Sequence, residues 1–101
     1  MLKLVSPKEV HEYAIKKGWW ENDREIPELL CLIHSEISEA LEGYRNHLKK
    51  GEKGWLGEEL ADAVIRIWDM CEYLNIDIVD EINKKRKINL QRPYRHGGKK
   101  C

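Results

Sequence analysis

The chain is predicted to be all-α, and three observations carry that expectation. Apolar residues recur at the 3.6-residue helical period through most of its 101 residues. Helix-capping residues stand where those periodic stretches begin and end. No stretch of useful length alternates apolar and polar residues as a half-buried strand does.

The first helix is expected from about Pro7 to Lys17. Ser6 is a good N-cap, Pro7 suits the first helical position and Glu9 completes a capping box. Gly18 ends it. The second helix is expected from about Ile26 to Leu48. Its stripe is Ile26, Leu29, Leu30, Ile33, Ile37, Ala40, Leu41, Tyr44 and Leu48. Lys49 to Gly57, with three glycines, reads as the main loop. A third helix is expected from about Glu58 to Leu74, with Asn75 as a left-handed cap. Nine of the twelve residues from Leu60 to Cys71 are apolar. The aliphatic stripe of that helix is Leu60, Val64, Trp68 and Cys71. The fourth helix, about Ile78 to Leu90, has Asp77 as its N-cap. Its inner stripe begins with Ile78 and Ile82 but continues with Lys85 and Asn89, and local rules often break at functional sites.

Length bounds the rest. One domain over residues 1–101 is the sensible prior, with a basic, irregular tail from about residue 92. A chain this short buries a thin core, so subunits are expected to complete it for one another. The three cysteines are far apart and form no Cys-x-x-Cys, which argues against a disulfide framework and a zinc site. Cys31 and Cys71 read as small core residues. The longest apolar run is five residues, Leu29 to Ile33, far short of a membrane span. There is no signal-peptide pattern, and a cytoplasmic setting is expected. The net charge of zero hides an asymmetry. All eighteen acidic residues lie at or before Glu81, whereas the last twenty residues carry eight Lys and Arg and no acid. That basic end reads first as a solvated face, and otherwise as a nucleic-acid arm or as a contact for the anionic end of a phosphorylated ligand.

The chemistry concentrates in two carboxylate pairs, Glu36-Ile-Ser-Glu39 and Glu59-Leu-Ala-Asp62. A three-residue step puts both members of a pair on one helix face. Two such helices facing each other would gather four anionic groups, which repel unless a cation sits among them. Hard oxygen donors favour Mg²⁺, with Mn²⁺ as an alternative. A di-iron site would add a Glu-x-x-His motif, and none is present. Against this, an E-x-x-E is usually a solvated face, and Arg66 stands four residues after Asp62, where it could pair with it. On the last helix, Lys85 and Asn89 are placed to touch a phosphate or sugar, and Arg92 and Arg95 could add guanidinium donors. The plain alternative is a helix end exposed to water. Asp69, seven residues past Asp62, is either an additional ligand or polar surface. Trp68 reads as packing, while Trp19, Trp20 and Trp55 flank loops and cover the core edge.

These residues resemble a family. E-I-S-E, a spacer, E-E-L-A-D, and then N-K-K-R-K-I-N-L-Q-R-P-Y-R-H-G-G-K are similar to the MazG-like, all-α nucleoside triphosphate pyrophosphohydrolases, over about His11 to Lys99. The resemblance implies cleavage of a nucleoside triphosphate between its α and β phosphates, giving monophosphate and pyrophosphate. It implies that Glu36, Glu39, Glu59 and Asp62 bind Mg²⁺ and that Lys85 and Asn89 contact the nucleotide. It also implies a four-helix-bundle-like fold assembled into at least a homodimer, or a homotetramer. Glu36 or Glu39 would take a proton from the attacking water. The competing expectation is a helical interaction module, without catalysis, whose basic C-terminal segment binds nucleic acid; it gives no reason for the paired carboxylates.

Overall fold

Four helices form among the described residues, and their ends are set by the residues that cap them. The computed structural model describes residues 5–47 and 54–92. Helix α1 spans Pro7–Lys16. The Ser6 side chain accepts the backbone N–H of Glu9 at 3.2 Å, and the Ser6 hydroxyl meets the Glu9 carboxylate at 3.3 Å. Gly18, at φ 86°, ends the helix with a paired motif. Its N–H reaches the Ile15 carbonyl, and that of Trp19 reaches Ala14. Helix α2 spans Ile26–His47 and α3 spans Gly54–Tyr73. Asn75, at φ 60°, closes α3 in the same way, with Ile76 and Asn75 donating to Cys71 and Glu72. Helix α4 spans Ile78–Leu90, and the Asp77 side chain caps it by accepting the N–H of Asp80 at 3.0 Å. Among the described residues there is no strand, and no helix is long and apolar enough to cross a membrane.

The third helix starts earlier than its glycines suggest. Gly54 to Gly57 are helical, so the expected loop over Lys49–Gly57 gives up its last four residues to α3. The reason is tertiary. Trp55 lies directly against Gly43 of α2, where an added Cβ would come within 2.5 Å of the indole ring. That docking outweighs the roughly 1 kcal/mol that a glycine costs in a helix.

α3 is the hub, packed against α1 on one side and α2 on the other. The face that α2 turns to α3 carries Leu29, Glu36, Ala40 and Gly43, at helical spacing. Among the described residues the buried apolar set is small: Leu29, Ala40, Ala63 and Cys71. Small side chains let the helices approach closely. They also leave the bulky part of each expected stripe outside. Ile26, Leu30, Ile37, Leu41 and Tyr44 of α2 are exposed, as are Leu60 and Val64 of α3, each by 41–51%. The expected α3 stripe is therefore corrected: Cys71 is buried and Trp68 half-buried, but Leu60 and Val64 face out, while Glu59 is drawn in. Cys31 and His34 are exposed, not at the core. Burial pushes the Cys71 thiol pKa up.

From Val79 onward every residue of α4 is exposed. Lys85 and Asn89, expected on an inner face, lie open with the rest. The Cα radius of gyration, 16.6 Å, exceeds the roughly 13 Å of a compact domain this long. The tail from Pro93, including Arg95, lies outside the described residues.

Candidate metal centre and its cleft

The α2–α3 seam brings three carboxylates together. Glu36 comes from α2, and Glu59 and Asp62 come from successive turns of α3. One oxygen from each lies within 4.8 Å of the other two. Glu36 is buried, at 8% exposure. Oε2 of Glu59 is shut off from solvent and has no hydrogen-bond partner among the described residues. Such an orphan is costly in a packed seam. The Glu59 pKa is raised from its ordinary 4.5, first by burial, then by the negative charges of Glu39, Asp62, Glu36 and Glu58.

Glu39, the fourth expected ligand, stands beside this group rather than in it. It is exposed, and its charge is the strongest of those raising the Glu59 pKa. Three of the four carboxylates that the spacing singled out are thus gathered, with the fourth close at hand.

The donor set fits a hard divalent ion. All the donors are carboxylate oxygens. The three oxygens lie within 4.8 Å of one another, a grouping that one small divalent ion with oxygen ligands would suit. The orphaned Glu59 oxygen supplies a lone pair with nothing else to bind. Three negative charges face one positive charge, so a divalent cation is what the group lacks.

That positive charge is Arg66. The alternative pairing with Asp62 is not the one made: Arg66 reaches across the seam to α2, where its Nε donates to Glu36 Oε1 at 2.6 Å. At i,i+4 Asp62 is in reach, but the buried Glu36 has more to gain from a charged donor than an exposed Asp62 has. The guanidinium also stands 4.7 Å over the ring of Trp19, beside that of Arg24 at 3.9 Å. Arg24 is fixed there by the Trp19 carbonyl, 3.0 Å from its Nε.

Glu36, Asp62, Arg66, Trp19 and Asp69 line one open cleft of about 320 Å³, at the lower end of the range for small-molecule sites. Asp69 is not polar surface. It is 6% exposed and outside the carboxylate group. Its oxygens accept the indole N–H of Trp20 at 2.9 and 3.1 Å and the Nδ1 of His11 at 2.6 Å. With those bonds made, it anchors α1 to α3 and holds up one wall of the cleft. Trp20 stacks on Tyr73 at 4.1 Å.

Arg66 and Trp19 were not singled out for this site in the sequence, and Asp69 was weighed there only as an additional ligand or polar surface. A signal existed for Arg66: it follows Glu59 by seven residues and Asp62 by four, which keeps it on their face. Nothing local in the sequence places Trp19 over it. Lys85, Asn89 and Arg92 are exposed and line no part of the cleft.

Comparison with protein-family models, with curated proteins and with solved structures finds no match to this chain.

Proposed function

We propose that this chain is a Mg²⁺-dependent nucleoside triphosphate pyrophosphohydrolase, with Mn²⁺ as an alternative cofactor. The observation that carries the reading is the orphaned Glu59 oxygen inside a group of three carboxylates, opening on a cleft lined by Trp19 and Arg66. The resemblance to MazG-like enzymes supports cleavage between the α and β phosphates. Glu36, Glu59 and Asp62 hold the cation, with Glu39 completing its surroundings. When bound, the ion supplies Lewis acidity and neutralises triphosphate charge.

The residues divide the remaining work. Glu36, as a ligand of the cation, is not free to take a proton. Glu39, exposed and adjacent, is the better acceptor for the proton of the attacking water. That water forms a bond to the α-phosphorus in line with the bridging oxygen, whose bond breaks as pyrophosphate leaves. The walls position the reactants and exclude part of the solvent. The nucleotide contacts that the resemblance implies for Lys85 and Asn89, with Arg92 beside them, lie outside this cleft, on the exposed α4 and just past it.

Assembly belongs to the same proposal. The exposed aliphatic faces of α2 and α3 are the surfaces by which copies of this chain cover one another, as homodimer or homotetramer. Ile37, 49% exposed, is at the middle of that face. Ile37→Glu is expected to shift the sedimentation mass to that of a monomer. A wild-type protein that already sediments as a monomer removes this part of the reading.

The reaction itself is tested by following pyrophosphate release from a panel of ribo- and deoxyribonucleoside triphosphates with Mg²⁺, with Mn²⁺ and with EDTA. Metal-dependent release with the matching monophosphate is the expected result. No release from any of them, together with strongly salt-dependent nucleic-acid binding carried by Lys84 to Lys100, would replace it with the interaction-module reading.

A further inference from the structure

We propose that Arg66 is the phosphate-binding arginine of the cleft, parked on Glu36 until a divalent cation takes that carboxylate. This rests on the carboxylate group being a metal site. Among the described residues, Arg66 is the only cation in ion-pair contact with Glu36, Glu59 or Asp62. It therefore does for the metal-free group what a cation does for the loaded one. The two compete for the same negative charge, because a divalent ion drawn onto Glu36 stands within a few ångströms of the guanidinium and repels it.

Its geometry suits a transfer. The bond to Glu36 is made through Nε alone, and the two terminal amines have no carboxylate partner among the described residues. A guanidinium used this way keeps a planar edge of N–H donors free, the edge that matches phosphate oxygens. The side chain is 29% exposed and lines the cleft with Asp62 and Trp19. The Trp19 ring, 4.7 Å below the guanidinium, retains it there by cation–π attraction when Glu36 is surrendered. A ligand with phosphate oxygens, held by the ion at one end of the cleft, then meets a released and already oriented fork.

The consequence is two effects of opposite sign. Removing Arg66 takes away a competitor of the metal and a donor to the phosphate. A bridge that served structure alone would weaken both on removal, by loosening the α2–α3 seam.

The test uses Mn²⁺ alone, titrated by electron paramagnetic resonance of the free ion, and then inorganic pyrophosphate at saturating Mn²⁺. Arg66→Gln is expected to bind Mn²⁺ about five-fold more tightly than wild type and pyrophosphate about ten-fold less tightly. Arg66→Lys keeps a positive charge near Glu36 but loses the planar fork. It should hold Mn²⁺ as wild type does while failing to restore pyrophosphate affinity, and it remains decisive if the glutamine variant folds poorly. Arg66→Gln with equal or weaker Mn²⁺ affinity and unchanged helical circular dichroism overturns this inference and leaves the metal site standing, provided that wild type binds Mn²⁺ and Asp62→Asn does not. Absence of Mn²⁺ binding in wild type and Arg66→Gln alike overturns both.

Discussion

Glu59→Gln is expected to abolish turnover and, in the same protein freed of metal, to raise the melting temperature. Both follow from one feature. Glu59 Oε2 is enclosed without a partner among the described residues, and the Glu59 carboxylate lies within reach of Glu36 and Asp62. A carboxylate there serves a bound cation and is a burden in its absence. The amide carries no charge and brings two N–H donors to a group that otherwise has only the Arg66 guanidinium. Turnover should fall at least about a hundred-fold, since a ligand is lost outright and even residues behind the ligands change activity by about ten- to a hundred-fold. The pH dependence has a definite sign. The folded-state pKa of Glu59 lies above its ordinary 4.5, so folding favours the protonated form. Its contribution is most favourable below the ordinary value and is lost as pH rises through the raised one. Wild type in EDTA should therefore lose stability across that window, and Glu59→Gln should lose less. Mg²⁺ should raise the wild-type melting temperature by linkage and leave the variant unmoved. Thermal melts at several pH values, with Mg²⁺ and with EDTA, read all of this. Near-normal turnover, or a lower melting temperature in EDTA, would sink the metal-site assignment.

What could be read in the sequence was local. Ser6 and Asp77 start helices, and Gly18 and Asn75 end them, because a cap acts on its own neighbours within three or four residues. The carboxylate pairs were legible for the same reason: an i,i+3 step fixes a face wherever the helix goes. The choice of face was not legible. α2 carries two stripes at one period, the buried Leu29, Glu36 and Ala40 and the exposed Leu30, Ile37 and Leu41. Periodicity does not say which of them meets the rest of its own chain. Small residues did the deciding, since Gly43 accepts Trp55 and thereby draws Gly54 to Gly57 into α3. The partners of Arg66 and Asp69 escaped for a related reason: Glu36 lies 30 residues from Arg66, and His11 lies 58 from Asp69.

The loss of Asp69 is expected to be the most damaging single change to the fold. α1 contributes no buried residue, so apolar burial holds it to α3 only weakly. Directional bonds do more. Asp69 accepts from His11 within α1 and from Trp20 just beyond it, and Trp20 in turn stacks on Tyr73 of α3. Asp69→Ala leaves the indole N–H and the imidazole facing a cavity, and should cost about 3 kcal/mol or more. That is a large share of the roughly 5–15 kcal/mol that holds a small domain together. The damage should begin locally. Amide protons of α1 should exchange faster than those of α2 and α3, because α1 is released before the seam opens. Trp19 would then lose its position over Arg66, so KM should rise more than kcat falls. Asp69→Asn keeps one acceptor oxygen and should sit between alanine and wild type. Urea unfolding, joined to hydrogen exchange on the three proteins, ranks them. An alanine variant within about 1 kcal/mol of wild type, with α1 as protected as before, would mean that α1 is held by its apolar contacts after all. The cleft wall would then stand independently of the buried carboxylate behind it.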